Sequence, residues 1–118
     1  MEQASTKLQL RCAIYSRVST SRDQSPEAQI TELHKFCEAR GWVVVRELTD
    51  HGYSGGTDAR PAFRELIELA RTRQIDVIVV TKLDRLFRSL RHLVTCLEEL
   101  HSLGITFTAT RDAIDWST

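Results

Sequence analysis

The chain has 118 residues with 16 basic and 16 acidic side chains, so its formal net charge is zero. That length supports one domain around one core, and the balanced charge excludes a module that grips nucleic acid through bulk electrostatics alone. No apolar span is long enough for a membrane, and Met1 to Lys7 is polar without the apolar stretch of a secretory signal, which suggests a cytoplasmic protein. Residues 1–9 read as a flexible arm ahead of a domain running from 10 to 118.

The first element is a strand carried by Cys12, Ala13, Ile14 and Tyr15, which gives way to a polar turn, Arg17-Val18-Ser19-Thr20-Ser21, running on to Gln24. Ser25 is an N-cap with Pro26 at the first helical position and Glu27 favourable to the helix dipole. Ala28, Ile30, Leu33, Phe36 and Cys37 form the inward stripe of this helix, and Gly41 stops it. Trp42 to Leu48 is a β-branched strand. Thr49 to Arg60 then reads as a mobile loop, long for an α/β connection and rich in Gly, Asp, Ser and Thr.

Pro61 opens a second helix with Phe63, Leu66, Ile67 and Ala70 on one face. Asp76 to Thr81 is a short, continuous apolar run of the kind buried on both faces of a parallel sheet. After Lys82-Leu83-Asp84-Arg85-Leu86-Phe87-Arg88, a third helix presents Leu90, Leu93, Val94, Leu97 and Leu100 inward and ends at Gly104. Ile105 to Thr110 is another strand, and Asp112 to Asp115 a brief edge strand. The order predicts an α/β fold: a three-layer α/β/α sandwich around a mostly parallel sheet of four to five strands.

The three Cys residues, 12, 37 and 96, are odd in number and form no CxxC pair, so they read as buried reduced thiols. His92 and Cys96 stand one helical turn apart, as a metal pair might, but no second ligand pair has a matching spacing. No metal is expected.

Of the basic residues, thirteen are Arg and three Lys. Arg presents a rigid, permanently charged fork that matches phosphate oxygens two at a time. In an open α/β sheet, ligands sit outside the carboxyl ends of the strands. Three segments reach that end: one supplies Arg17 and Ser19, one Arg60, and one Asp84, Arg85 and Arg88. Taken singly, each has an ordinary reading as a capping hydroxyl, a solvated face residue or an exposed ion pair worth under ~1 kcal/mol. Together they place one hydroxyl among several guanidiniums. His51 offers no Ser-His-Asp hydrolase, because no glycine elbow surrounds the serine. A phosphate-handling enzyme or receiver domain on a similar sheet would need clustered acids for magnesium or a P-loop, and the first strand ends in neither. A non-catalytic interaction module would have no use for the arginines.

Tyr15-Ser16-Arg17-Val18-Ser19-Thr20, the Gly55-Gly56 loop leading to Arg60, and Lys82-Leu83-Asp84-Arg85-Leu86-Phe87-Arg88 closely resemble the catalytic domain of the serine recombinases, the resolvase/invertase family. The resemblance runs from about Leu10 to the last residue, and Phe87 departs from a position that is often Gly. It implies sheet order 2-1-3-4-5 and site-specific DNA recombination. Ser19 would attack a phosphodiester, giving a 5′-phosphoserine and a free 3′-hydroxyl. Arg17, Arg60, Arg85 and Arg88 would surround the phosphate, with Asp84 in the site and Tyr15, Gln29, Asp50 and Lys82 in support. No cofactor is implied. The partners would be DNA, and further copies forming a dimer and a synaptic tetramer in a full-length protein. Family members continue into a long helix and a DNA-binding domain, so the chain as given is expected not to recombine DNA alone.

Overall fold

A computed structural model of the chain describes residues 9–19, 26–52, 61–81, 90–111 and 114–116. The elements are β1 (Arg11–Ser19), α1 (Pro26–Ala39), β2 (Val43–Gly52), α2 (Pro61–Arg71), β3 (Val77–Val80), α3 (Leu90–Ser102), β4 (Thr106–Ala109) and β5 (Ile114–Trp116). The strands form one sheet in the order β2-β1-β3-β4-β5. The first four are parallel and β5 closes the edge antiparallel to β4. This is the predicted architecture, including the strand order implied by the resemblance.

Period-2 alternation divides the core between the two faces of the sheet. Cys12 and Ile14 of β1 and Val77 and Val79 of β3 pack with Leu33 and Cys37 of α1. Ala13, Tyr15, Ile78 and Val80 point the other way, into a larger cluster with Phe63, Leu66 and Ala70 of α2 and Leu100 of α3. β3 is buried along its whole length because both of its faces are covered, which explains its unbroken apolar run. Each such Val or Ile removed from water contributes about 1.5–3 kcal/mol. Gly41 and Gly104 adopt left-handed backbone just past α1 and α3, with φ of 75° and 78°. There the amides of Trp42 and Ile105 reach back to the carbonyls of Cys37 and Leu100.

Four sequence expectations are corrected. β1 does not turn at Arg17 but continues to Ser19, because β2 also runs on, to Gly52, and the two pair residue by residue to the end. The anticipated loop from Thr49 therefore begins with ordered strand, and its remainder, 53–60, lies outside the described residues. On α3, Val94 is 44 % exposed rather than inward. The buried Cys96 and Leu100 set that helix's inner face, and Val94 stands two residues, about 200° of rotation, from Cys96. Ala28 is likewise exposed, since α1 docks through Leu33 and Cys37. No described helix is long and apolar enough to cross a membrane.

Ion pairs tie the element ends together. Asp76, before β3, accepts from the Arg11 backbone amide at 2.8 Å and from its guanidinium at 3.1 and 3.2 Å. Arg71 binds Glu99 across α2 and α3, and Arg111 binds Glu32. The hydrogen bonds from these arginines hold Asp76, Glu99 and Glu32 below the usual carboxylate range, against the opposing effect of their partial burial. A carboxylate whose folded pKa is depressed adds stability above its unfolded pKa and loses it as pH falls through the folded value. The melting temperature is therefore expected to decline below about pH 4.5, the region of ordinary carboxylate titration. Thermal unfolding against pH, at low and high salt, would show a shallower decline for Arg11→Gln. An identical acid limb would remove the Arg11–Asp76 pair from this role.

Candidate active site

The carboxyl end of the sheet is uneven. Pairing of β1 with β3 ends at Ile14↔Val79, whereas pairing of β1 with β2 runs on to Ser19↔Gly52. At about 3.3 Å per residue, Ser19 stands roughly 16 Å beyond the last β1–β3 partner. The chain leaves β1 for β2 on one side and reaches β3 on the other, with α1 and α2 on opposite faces. β1 and β3 thus flank the topological switch point, where open α/β sheets bind ligands. Ser19 is described through its backbone, as the last residue of β1. Arg17, two residues before it, is half-buried and stands opposite Asp50 in the ladder. Ser16 is a different kind of serine: it is buried, and its hydroxyl is 3.1 Å from that of Thr49.

Asp50 is the best-defined part of the site. It is 3 % exposed, and its oxygens accept three hydrogen bonds from described residues. The Tyr15 hydroxyl donates to Oδ2 at 2.7 Å, and the Phe63 amide donates to the same oxygen at 2.9 Å. The Ala62 amide donates to Oδ1 at 2.8 Å. Helix α2 starts at Pro61, and the residue preceding it in sequence, Arg60, is of a type whose side chain has no acceptor for the helix's first amides. Asp50 supplies from β2 the cap that the local sequence lacks, meeting two of the unpaired amides at the helix start. The Tyr15 ring also packs edge-on against Phe63, with centroids 5.6 Å apart. One side chain thus joins β1, β2 and the root of the segment carrying Arg60. The family resemblance marked Asp50 as a support for a loop. A helix opening on Pro without a capping residue before it was the signal that a distant cap was needed.

A second clamp went unread in the sequence. The Arg111 amide donates to the Thr81 carbonyl at 2.8 Å, extending the β3–β4 ladder to the residue from which 82–89 departs. Its guanidinium grips Glu32 of α1 at 2.7 and 3.2 Å, with the Thr110 hydroxyl at 3.3 Å. Gln29, one turn earlier on α1, is half-buried. The roots of the segments after β1, β2 and β3 are therefore all held at the same end of the sheet. Arg60, Lys82, Asp84, Arg85 and Arg88 themselves lie outside the described residues, as does the His51 side chain. His92 and Cys96 occupy α3, where the His92 ring lies edge-on to Phe63. Among the described residues, no group of three metal-ligating side chains forms.

The chain is 43 % identical over 115 residues to the "Probable DNA-invertase y4cG" of Sinorhizobium fredii, covering 97 % of this chain and 34 % of that protein. It is 38 % identical over 104 residues to the DNA-invertase of Escherichia phage P1, covering 88 % of this chain and 50 % of that one. It thus spans between a third and a half of the length of these relatives. Among solved structures, the N-terminal catalytic domain of TP901-1 integrase superimposes with a TM-score of 0.77 at 39 % identity, covering 89 % of this chain and 80 % of that one. A resolvase family site-specific recombinase from Streptococcus pneumoniae gives 0.79 at 26 % identity, covering 91 % and 76 %. Residues 12–118 match the family described as Resolvase, N terminal domain, and with that match the chain belongs to the catalytic-domain family of the serine recombinases.

Proposed function

We propose that this domain performs the DNA strand cleavage and rejoining of a site-specific recombinase, with Ser19 as nucleophile. The observation that carries the reading is the position of Ser19: it ends a strand that overshoots the β1–β3 crevice, two residues after a half-buried Arg17. In the reaction, the Ser19 oxygen bonds to a backbone phosphorus while the bond from phosphorus to the 3′ oxygen breaks. The serine proton is lost, and the departing oxygen takes up a proton as a free 3′-hydroxyl. The phosphate stays on Ser19 as a 5′-phosphoserine. Rejoining is the same step reversed, with the 3′-hydroxyl of an exchanged strand as the attacker.

One ester replaces another, so the bond energy is retained and no nucleotide is consumed. Arg17, Arg60, Arg85 and Arg88 neutralise the charge that grows on the phosphate oxygens, which makes the chemistry metal-independent. Losing one such donor typically costs ~2.7–4 kcal/mol of barrier. Asp84 belongs to the same cluster. Asp50 and Tyr15 fix the root of the segment carrying Arg60, and Gln29 and Lys82 are assigned supporting roles. DNA is reached in the cytoplasm through the longer protein, whose copies assemble as a dimer and then a synaptic tetramer. Neutral net charge gives the isolated domain weak attraction to DNA.

The test uses a protein carrying this domain together with its DNA-binding part and a nicked crossover-site duplex that traps the intermediate. Incubation in excess EDTA should yield a covalent protein–DNA adduct through a 5′ phosphate, with the 3′ end free to be extended by a polymerase. An adduct that forms only after magnesium is restored, or on the 3′ phosphate, would overturn the mechanism.

A further inference from the structure

Cys12 and Cys37 were read from the sequence as separate buried thiols, and the fold brings them together. Cys12 points from β1 into the cluster beneath α1, and Cys37 lies in the last turn of that helix. Both residues are 0 % exposed, and their sulfurs are 3.2 Å apart, with the Cys12 thiol donating to Cys37 Sγ. A disulfide has its sulfurs about 2.05 Å apart, so bonding needs an approach of roughly 1 Å, within the reach of small side-chain adjustments. Cys96 is in the other core cluster, across the sheet, and does not join them.

We propose that Cys12 and Cys37 are a redox pair that hydrogen peroxide converts into a reversible intramolecular disulfide. Burial by Ile14, Leu33, Val77 and Val79 excludes bulky oxidants and favours a molecule little larger than water. The hydrogen bond from Cys12 draws the Cys37 thiol below its ordinary range, helped by the nearby Arg40 charge and opposed by burial. The same contact, with burial, pushes Cys12 up. Cys37, whose sulfur accepts the hydrogen bond from Cys12, is the sulfur placed to react first, since the thiolate is the nucleophile. Its sulfur attacks one peroxide oxygen, the O–O bond breaks, and Cys37 becomes a sulfenic acid while the second oxygen leaves as water once protonated. Cys12 Sγ then attacks Cys37 Sγ, the S–O bond breaks, and the departing hydroxide takes the Cys12 proton. Two thiols and one peroxide give one disulfide and two waters. A dithiol reductant reverses the change.

The disulfide closes a ring over residues 13 to 36, which contains Ser19 and Gln29. It staples α1 to β1 without depending on what the site does. Cross-linking a loop of about 25 residues stabilises mainly by restricting the unfolded chain, which for a domain of this size should raise the melting temperature by roughly 10 °C.

The test treats the reduced chain with one equivalent of hydrogen peroxide, then alkylates remaining thiols and digests without reductant. The expected result is a monomer lighter by about two mass units before alkylation, a peptide pair linked through Cys12 and Cys37, and a raised melting temperature that dithiothreitol reverses. Cys96→Ala should behave identically, and Cys37→Ala should lose the linkage. Because Cys37→Ala removes a core side chain and could impair folding, the linked peptide in the unmutated chain is the deciding measurement. Alkylation of both Cys12 and Cys37 after peroxide, or their recovery as intermolecular disulfides or over-oxidised acids, would overturn the proposal.

Discussion

Replacing Ser19 by Ala is expected to abolish the covalent protein–DNA adduct while leaving the fold and DNA binding intact. The proposed step has a single nucleophile, and alanine removes its oxygen. Adduct formation should fall by at least a thousandfold, equivalent to about 4 kcal/mol of barrier. The backbone at Ser19 is held by the ladder to Gly52, so stability is expected to change by no more than about 0.5 kcal/mol. The neighbouring Ser16 provides the control. Its hydroxyl is buried against that of Thr49, so Ser16→Ala should lower stability and leave the adduct's attachment point unchanged. A residual adduct in Ser19→Ala, mapped by mass spectrometry to another residue, would displace Ser19 from its assigned role.

The largest stability effect is expected at Asp50. Asp50→Ala removes the buried acceptor shared by the Tyr15 hydroxyl and the amides of Ala62 and Phe63. An N-cap loss costs about 0.5–2 kcal/mol and removing a buried hydrogen-bond acceptor ~1–3 kcal/mol. The effects overlap, so a net loss of about 2–4 kcal/mol follows, or roughly 10–20 °C in melting temperature. Asp50→Asn should fall between, because its one amide oxygen can keep the two donors on Oδ2 while the amide nitrogen at the Oδ1 position cannot accept from the Ala62 amide. Tyr15→Phe should cost less than about 1.5 kcal/mol, since Oδ2 keeps the Phe63 amide. Urea denaturation of the four proteins orders them directly. If Asp50→Ala unfolds at the same midpoint as the unmutated chain, the cap contributes nothing. In the recombinase reading, Asp50→Asn should also slow adduct formation more than it weakens DNA binding, because it loosens the root of Arg60.

The sequence by itself determined the alternation of strands and helices and the mostly parallel character of the sheet, and it supplied the proposal that the site lies at the sheet's carboxyl end. These are written in local signals: Pro at helix starts, Gly at helix stops, a fully apolar run for β3, and an Arg-x-Ser after the first apolar strand. Such signals act over a few residues, so one chain suffices to read them. The motifs joining Tyr15 to Thr20 and Lys82 to Arg88 also carried the family resemblance.

Only the tertiary structure decided where β1 and β2 end. A polar stretch such as Arg17 to Ser19 or Thr49 to Gly52 has no reason of its own to be strand, and becomes strand because each supplies the other's ladder. The same holds for Asp50, whose identity as a cap depends on a helix that begins eleven residues later. It holds for Val94, whose exposure follows from which face of α3 meets the sheet. It holds for Cys12 and Cys37, whose sulfurs meet only because α1 crosses the strand from which it departs. Each of these depends on contact between residues distant in the chain, and pairwise distance is what a linear pattern of residue types does not encode.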